Sequence, residues 1–187
     1  MRHDARQNRE RILVAAEQVF GARGAAGSTE HVATLAHVGI GTVFRHFPTK
    51  DALIEASLLR YFADLTARAC ILVEADDPGA ALRELLTVMI ATGAAKVRLV
   101  TLIGATGSVP ATVVEAAQDL REAVGAVLRR AQGAGVAHAS VGVDEVYVLL
   151  RGLAHASATM PVAEEVLRRA ADVVLTGLMS RQATLGR

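Results

Sequence analysis

The stretch that decides the fold runs from Thr29 to Phe47 and reads TEHVATLAHVGIGTVFRHF. Ser28 or Thr29 can cap a short helix through about Ala36, burying Val32, Leu35 and Ala36. His37, Val38 and Gly39 break the pattern, and a second short helix follows from Ile40 to about His46. Pro48 stops it, because the residue before a proline is pushed out of the helical region. Short helix, three-residue turn and short helix read as a helix-turn-helix, with small Ala33 where the pair must come close. Val32, Ala36, Val38 and Val43 are placed to hold the two together. The second helix would expose Ile40, Gly41, Thr42, Arg45 and His46. A helix of this size fits the DNA major groove, ~12 Å wide, and small residues at its start let the backbone approach the duplex.

Outward from this core the chain is helical in both directions. Asp4–Arg23 places Ile12, Leu13, Ala16, Val19 and Phe20 on one face, with Gly24 and Gly27 ending the helix. Thr49 caps a helix that carries Leu53, Ile54, Leu58, Tyr61, Phe62 and Leu65 on to about Val73. Asp76–Gly79 is a break, with Pro78 suited to opening the next helix. Further helices are expected over Leu82–Ala94, Ala95–Gly104, Pro110–Gly133, Asp144–Thr159 and Pro161–Ser180. Neither an internal repeat nor an alternating strand pattern is present. The expected fold is all-α with about nine helices. Residues 1–49 form a three-helix DNA-binding domain, its motif at about 28–47, and residues 50–187 a second helical domain.

Composition narrows the function further. The 187 residues are 52% hydrophobic and 21% charged, too apolar for a disordered chain. Aromatics are only 3%, so Ala, Val and Leu must build the core. A single cysteine, Cys70, excludes an internal disulfide or a cysteine zinc site and fits a reducing cytoplasm. The start of the chain is charged and carries no apolar signal core. The longest uncharged run, Leu99–Val114, falls short of the ~20 residues that span a bilayer and contains Pro110. A cytoplasmic protein, away from the membrane, is expected. The near-balance of 20 basic and 19 acidic residues hides an asymmetry. Residues 1–50 hold seven basic against four acidic side chains, and the remainder thirteen against fifteen. An anionic partner at the amino end is implied. The six histidines, His3, His31, His37, His46, His138 and His155, form no metal-spaced set. No nucleophile elbow occurs, and Gly39-Ile40-Gly41 follows no strand and lacks the third glycine of a dinucleotide loop. Neither catalytic residues, metal nor cofactor is expected.

Residues 9–62 resemble the TetR family of bacterial transcriptional regulators. The likeness rests on Arg11-Ile12-Leu13, Ala15-Ala16, Phe20, Gly24 and Val32-Ala33, and above all on the run Gly39–Leu53, GIGTVFRHFPTKDAL. Two positions depart from the family pattern. His37 stands where glycine is usual in the turn, and would have to take a positive φ at a cost of roughly 1–2 kcal/mol. Phe44 replaces a tyrosine whose hydroxyl reaches a DNA phosphate, a bond worth about 0.5–1.5 kcal/mol.

The resemblance implies that Ser28 and Thr29 contact phosphates from the start of their helix, and that Lys50 does likewise. Phe44 would pack at the same surface. Thr42, Arg45 and His46 would lie near base edges. Arg45 either forks onto a guanine, worth ~1–3 kcal/mol of discrimination, or touches phosphate alone. His46 either reaches DNA or packs on Phe47. Arg2, Arg6 and Arg9 either brace the backbone or sit in water.

In proteins of this kind the second domain binds a small molecule and dimerises. Between Leu85 and Val114 only Lys96 and Arg98 are charged, so the segment must be enclosed, around a cavity or as plain core. Ala91, Gly93, Ala94, Gly104 and Ala105 are small enough to leave a void. Tyr147, Arg151 and His155 fall on one stripe of a helix and would line a pocket, enter a dimer interface or face solvent. Met89, Thr92 and Leu99 are further ligand candidates. Val162, Val166, Ala170, Val173, Val174, Gly177 and Leu178 offer a small-residue stripe by which the last two helices would meet a second copy. The implied function is a homodimeric repressor on a palindromic operator, released by a small-molecule effector. A regulator without an inducer, or an activator, are the alternatives.

Overall fold

The computed structural model describes residues 2–105 and 107–180, with side chains from Asp4 onward. Among these are eight α-helices: α1 Arg2–Arg23, α2 Thr29–Leu35, α3 Ile40–His46, α4 Lys50–Leu72, α5 Pro78–Ala105, α6 Ala111–Gly133, α7 Val143–Thr159 and α8 Glu164–Leu178. A 3-10 turn, Gly24–Ala26, follows α1. The described residues contain no strand, only an isolated antiparallel bridge between Ala137 and Met179. The all-α expectation holds.

Several helix starts follow from side chains that satisfy the free backbone groups of a helix end. The Asp77 carboxylate accepts the N–H of Ala80 at 2.9 Å to open α5, and the Thr49 hydroxyl accepts that of Ala52 at 3.0 Å to open α4. At α7 the Glu145 carboxylate accepts the N–H of Gly142 at 2.8 Å. Two helices had been expected on either side of Ala94–Ala95, and α5 instead runs through as one. The junction Ala94-Ala95-Lys96 holds only good helix formers. Gly93 stays helical and leaves no void, because it lets Ala154 of α7 approach: a Cβ on Gly93 would stand 2.8 Å from that of Ala154.

The chain divides into two compact units, one reaching to Phe62 and including Ala95–Ala116, the other formed by Ala63–Ala94 and the chain from Ala117 on. In the first, Ile12, Ala16 and Phe20 of α1, Val32 of α2, Val43 of α3 and Leu53 and Leu58 of α4 are completely buried. Arg60 of α4 ties α1 down, bridging Glu10 at 2.6 Å and Glu17 at 2.8 Å. Arg98 of α5 donates to the Gly21 carbonyl at 2.7 Å. In the second unit Leu82, Leu85 and Leu86 of α5, Val124 of α6, Val146 of α7 and Leu175 of α8 form the interior. By length and composition α5 could cross a membrane, with mean hydropathy 1.6 over its most apolar window. Its Leu82, Leu85, Leu86 and Leu99 are buried within the protein.

Candidate nucleic-acid interface

The amino-terminal unit builds its turn from backbone chemistry. Ser28 caps α2, its hydroxyl accepting the N–H of His31 at 3.3 Å, so Thr29 is the first helical residue and not the cap. At the far end the N–H of Val38 reaches the Ala33 carbonyl at 3.0 Å and that of His37 reaches Thr34 at 3.2 Å. This pair of bonds is a Schellman stop, which needs a left-handed residue between them. His37 supplies it, at φ 54°. The strain expected from the missing glycine is therefore present, at roughly 1–2 kcal/mol. Gly39 then starts α3, accepting the N–H of Thr42 at 2.8 Å. Val43 is fully buried and Phe47 nearly so, which fixes the rotation of α3.

That rotation determines what faces outward. Ile40 is 39% and Phe44 43% exposed, large apolar side chains left in water. Gly41 and Arg45 lie on the exposed side, while Thr42 and His46 are half-buried. A Cβ on Gly41 would meet nothing within 4 Å, so no packing among the described residues calls for a glycine there. Arg45 has no hydrogen-bond or ion-pair partner among the described residues. The His46 ring is tilted against Phe47 with centroids 6.3 Å apart. Leu35, expected inside, is 44% exposed, because the short α2 turns Val32, Ala33 and Ala36 inward.

At the start of α2, Ser28 is half-buried, and the buried Thr29 points its hydroxyl at the Glu30 carboxylate, 3.4 Å away. The Ser28 hydroxyl, and then the backbone of Glu30 itself, hold the Glu30 carboxyl below its ordinary range. Lys50 is half-buried and donates to the Gly27 carbonyl at 2.8 Å. Arg9 lays its guanidinium over the Phe47 ring, 5.3 Å from the centroid, while Arg6 is exposed. The side chain of Arg2 lies outside the described residues. This cation–ring contact joins residues tens of positions apart, where no periodicity points to it.

The ligand candidates are more dispersed. Tyr147 is half-buried beneath the Arg121 guanidinium, 5.2 Å from its ring centroid, and Arg121 is paired with Asp144. Arg151 and His155, further along α7, are exposed. Met89 is buried, and the half-buried Thr92 turns its hydroxyl to the Val88 carbonyl at 2.8 Å. Leu99 is buried in the other unit. An open groove of about 760 Å³ lies elsewhere, lined by His138, Asp172, Val173, Thr176, Gly177, Met179 and Ser180. On α8 the stripe expected to meet a second copy is outward at Val166, Val173 and Gly177, whereas Leu178 turns into the core. Among the described residues no three His, Cys, Asp or Glu side chains are grouped to hold a metal ion.

A helix-turn-helix with an uncommitted arginine on the outward face of its second helix, followed by a separate helical body, defines a DNA-binding transcription regulator. Comparison with known proteins gives the family. Residues 12–57 match the bacterial regulatory proteins of the tetR family, and residues 77–180 the C-terminal domain of SbtR-like transcriptional regulators. The TetR transcriptional regulator SCO0520 of Streptomyces coelicolor is 30% identical, with 92% of this chain and 99% of that one covered and a TM-score of 0.79. A TetR transcription regulatory protein of Mycobacterium vanbaalenii is 31% identical over 96% of this chain and 99% of that one, with a TM-score of 0.76. No curated protein matches. The chain belongs to the TetR family of bacterial transcriptional regulators.

Proposed function

We propose that the protein is a homodimeric repressor that reads a palindromic operator and is released from it by a small molecule. Residues 1–49 serve as the reading head and residues 50–187 as the ligand-binding and dimerisation domain. The observation that carries this reading is the outward face of α3, where Gly41 leaves open space and Arg45 has no partner among the described residues. A glycine that the fold does not require, beside an uncommitted cation, suits a surface that a polyanion must approach. Ile40, Gly41, Thr42, Phe44, Arg45 and His46 would meet the major groove. The start of α2 at Ser28 and Thr29 would offer N–H groups to a phosphate.

One head makes few base contacts, and pairing supplies the rest. The outward Val166 and Val173 of α8, with Val148 of α7, are the apolar surface on which a second copy would dock. Two heads one helical turn apart, ~34–36 Å, would recognise a palindrome. The effector would engage the second unit near Tyr147, with Met89 and Thr92 as apolar and polar lining and Arg151 and His155 toward its rim. It lowers operator affinity only as far as it prefers the conformer whose heads are wrongly spaced. Such a protein acts in the cytoplasm, where the DNA is.

The test is selection of duplexes from a random library by the purified protein, followed by a gel shift across a panel of small molecules. The expected result is a consensus with dyad symmetry, bound by two chains and released by at least one compound. A pool that stays unenriched at moderate salt would overturn the proposal.

A further inference from the structure

Two rows of side chains run along the outward side of α3. With Val43 fully buried and Phe47 nearly so, residues one turn apart share each row. Gly41 and Arg45 form one, and both are exposed. Ile40 and Phe44 form the other, 39% and 43% exposed. A lone apolar side chain on a surface is ordinary. This pair adjoins a cation, and it belongs to a segment, residues 1–50, that holds seven basic against four acidic side chains. Such surroundings suit a polyanion and not an apolar protein face. The row therefore has to find its apolar match on the polyanion itself.

Base chemistry narrows that match. In the major groove guanine shows two acceptors, cytosine an amino donor, and adenine one acceptor and one donor. Thymine sets beside its acceptor a C5 methyl, the one apolar group on any of the four base edges. The side chains of Ile40 and Phe44 can neither donate nor accept a hydrogen bond. Laid on guanine, adenine or cytosine, they would strip water from polar atoms and give nothing in return. Laid on the thymine methyl, they bury apolar surface against apolar surface. We infer that Ile40, flanked by Phe44, is a specificity-determining residue that reads a thymine methyl in each half of the operator. The inference rests on the reading of α3 as the element that enters the major groove, and it adds the base that this element selects. Contact of the same row with deoxyribose is the rival, and it carries no base preference.

The experiment replaces thymine by deoxyuridine, one position at a time, in a duplex that the wild-type protein selects from a random library. Deoxyuridine lacks the methyl and keeps every hydrogen-bonding atom of the base. Burying one such group is worth about fourfold in affinity, so one thymine in each half-site should show a loss of about that size. The other thymines should show little change. With cytosine at the sensitive position, 5-methylcytosine should recover about the same factor. In Ile40→Ala the deoxyuridine replacement should be close to neutral, because the methyl has lost its contact. Binding indifferent to deoxyuridine at every thymine would overturn the inference and leave the row on sugar. A loss that persists undiminished in both Ile40→Ala and Phe44→Ala would assign the methyl to duplex shape and overturn it too. So would a consensus with no thymine in its half-site. If neither variant folds, the wild-type scan and the 5-methylcytosine duplex decide by themselves. Failure of the wild-type to enrich any duplex would instead sink the DNA-reading proposal, a distinguishable result.

Discussion

Arg45 on α3 and Arg168 on α8 are both exposed cations beside exposed apolar side chains, yet they are held in opposite ways. Arg168 is clamped within its own helix, to Glu165 at 2.7 Å and to Asp172 at 3.1 Å. The Glu165 bond raises its pKa, and the same bond lowers that of Glu165. Arg45 has neither kind of partner among the described residues. A helix that pairs its own arginine leaves exposed valines to offer and suits a partner of like composition. A helix that leaves its charge open suits an anion. Two regions of one chain thus advertise two kinds of partner, and substitutions in each can break or sharpen the contrast.

The largest expected effect lies on α8. Val173→Glu puts a carboxylate on a side chain that is 73% exposed in the single chain and buried in the proposed dimer. Burying an unpaired charge costs about 3–5 kcal/mol, so sedimentation velocity should show dimerisation weakened ~100-fold or more. Melting of the monomer should barely change. An unaltered dimer would move the interface elsewhere. Next comes Arg45→Ala, with specific affinity in a gel shift lower by about 1–3 kcal/mol, melting temperature unchanged and binding to random duplex little affected. A uniform loss on all sequences would assign Arg45 to phosphate. Gly41→Ala sharpens the comparison by separating stability from function. The added methyl meets nothing among the described residues, so melting should rise by the equivalent of up to about 1 kcal/mol. Operator affinity should fall, because the backbone can no longer come as close to the duplex. The smallest expected effect is a gain: Phe44→Tyr adds a hydroxyl to a ring already 43% exposed. It should tighten binding by about 0.5–1.5 kcal/mol if a phosphate accepts it.

The reading head was legible because its constraints are local. A cap at Ser28, a stop at His37 and a proline after α3 each act within a few residues, so spacing foretold the motif, while the positive φ of His37 was implied by the family resemblance, which has glycine at that place. Compare the end of α6, where Gly135 takes the same left-handed position at φ 72° with the same two backbone bonds from Gly135 and Val136. The geometry is shared, and only the residue that bears the strain differs. The second unit was less legible. A core of Ala, Val and Leu is satisfied by many arrangements, and Gly93 looked like a void until Ala154 was found against it. The split expected in α5 failed for the same reason: apolar periodicity gives a helix its face but does not mark its end. Long-range ties such as Lys50 to Gly27, or Arg60 to Glu10 and Glu17, leave no trace in a linear pattern.

Hydroxyl-radical footprinting of the wild-type protein on its selected duplex bears most directly on the reading of α3 and the pairing of chains. The expected pattern is two protected patches related by a dyad, centred one helical turn apart at ~34–36 Å, with both lost in Arg45→Ala. A single patch, or even protection along the whole duplex that Arg45→Ala leaves intact, would contradict it.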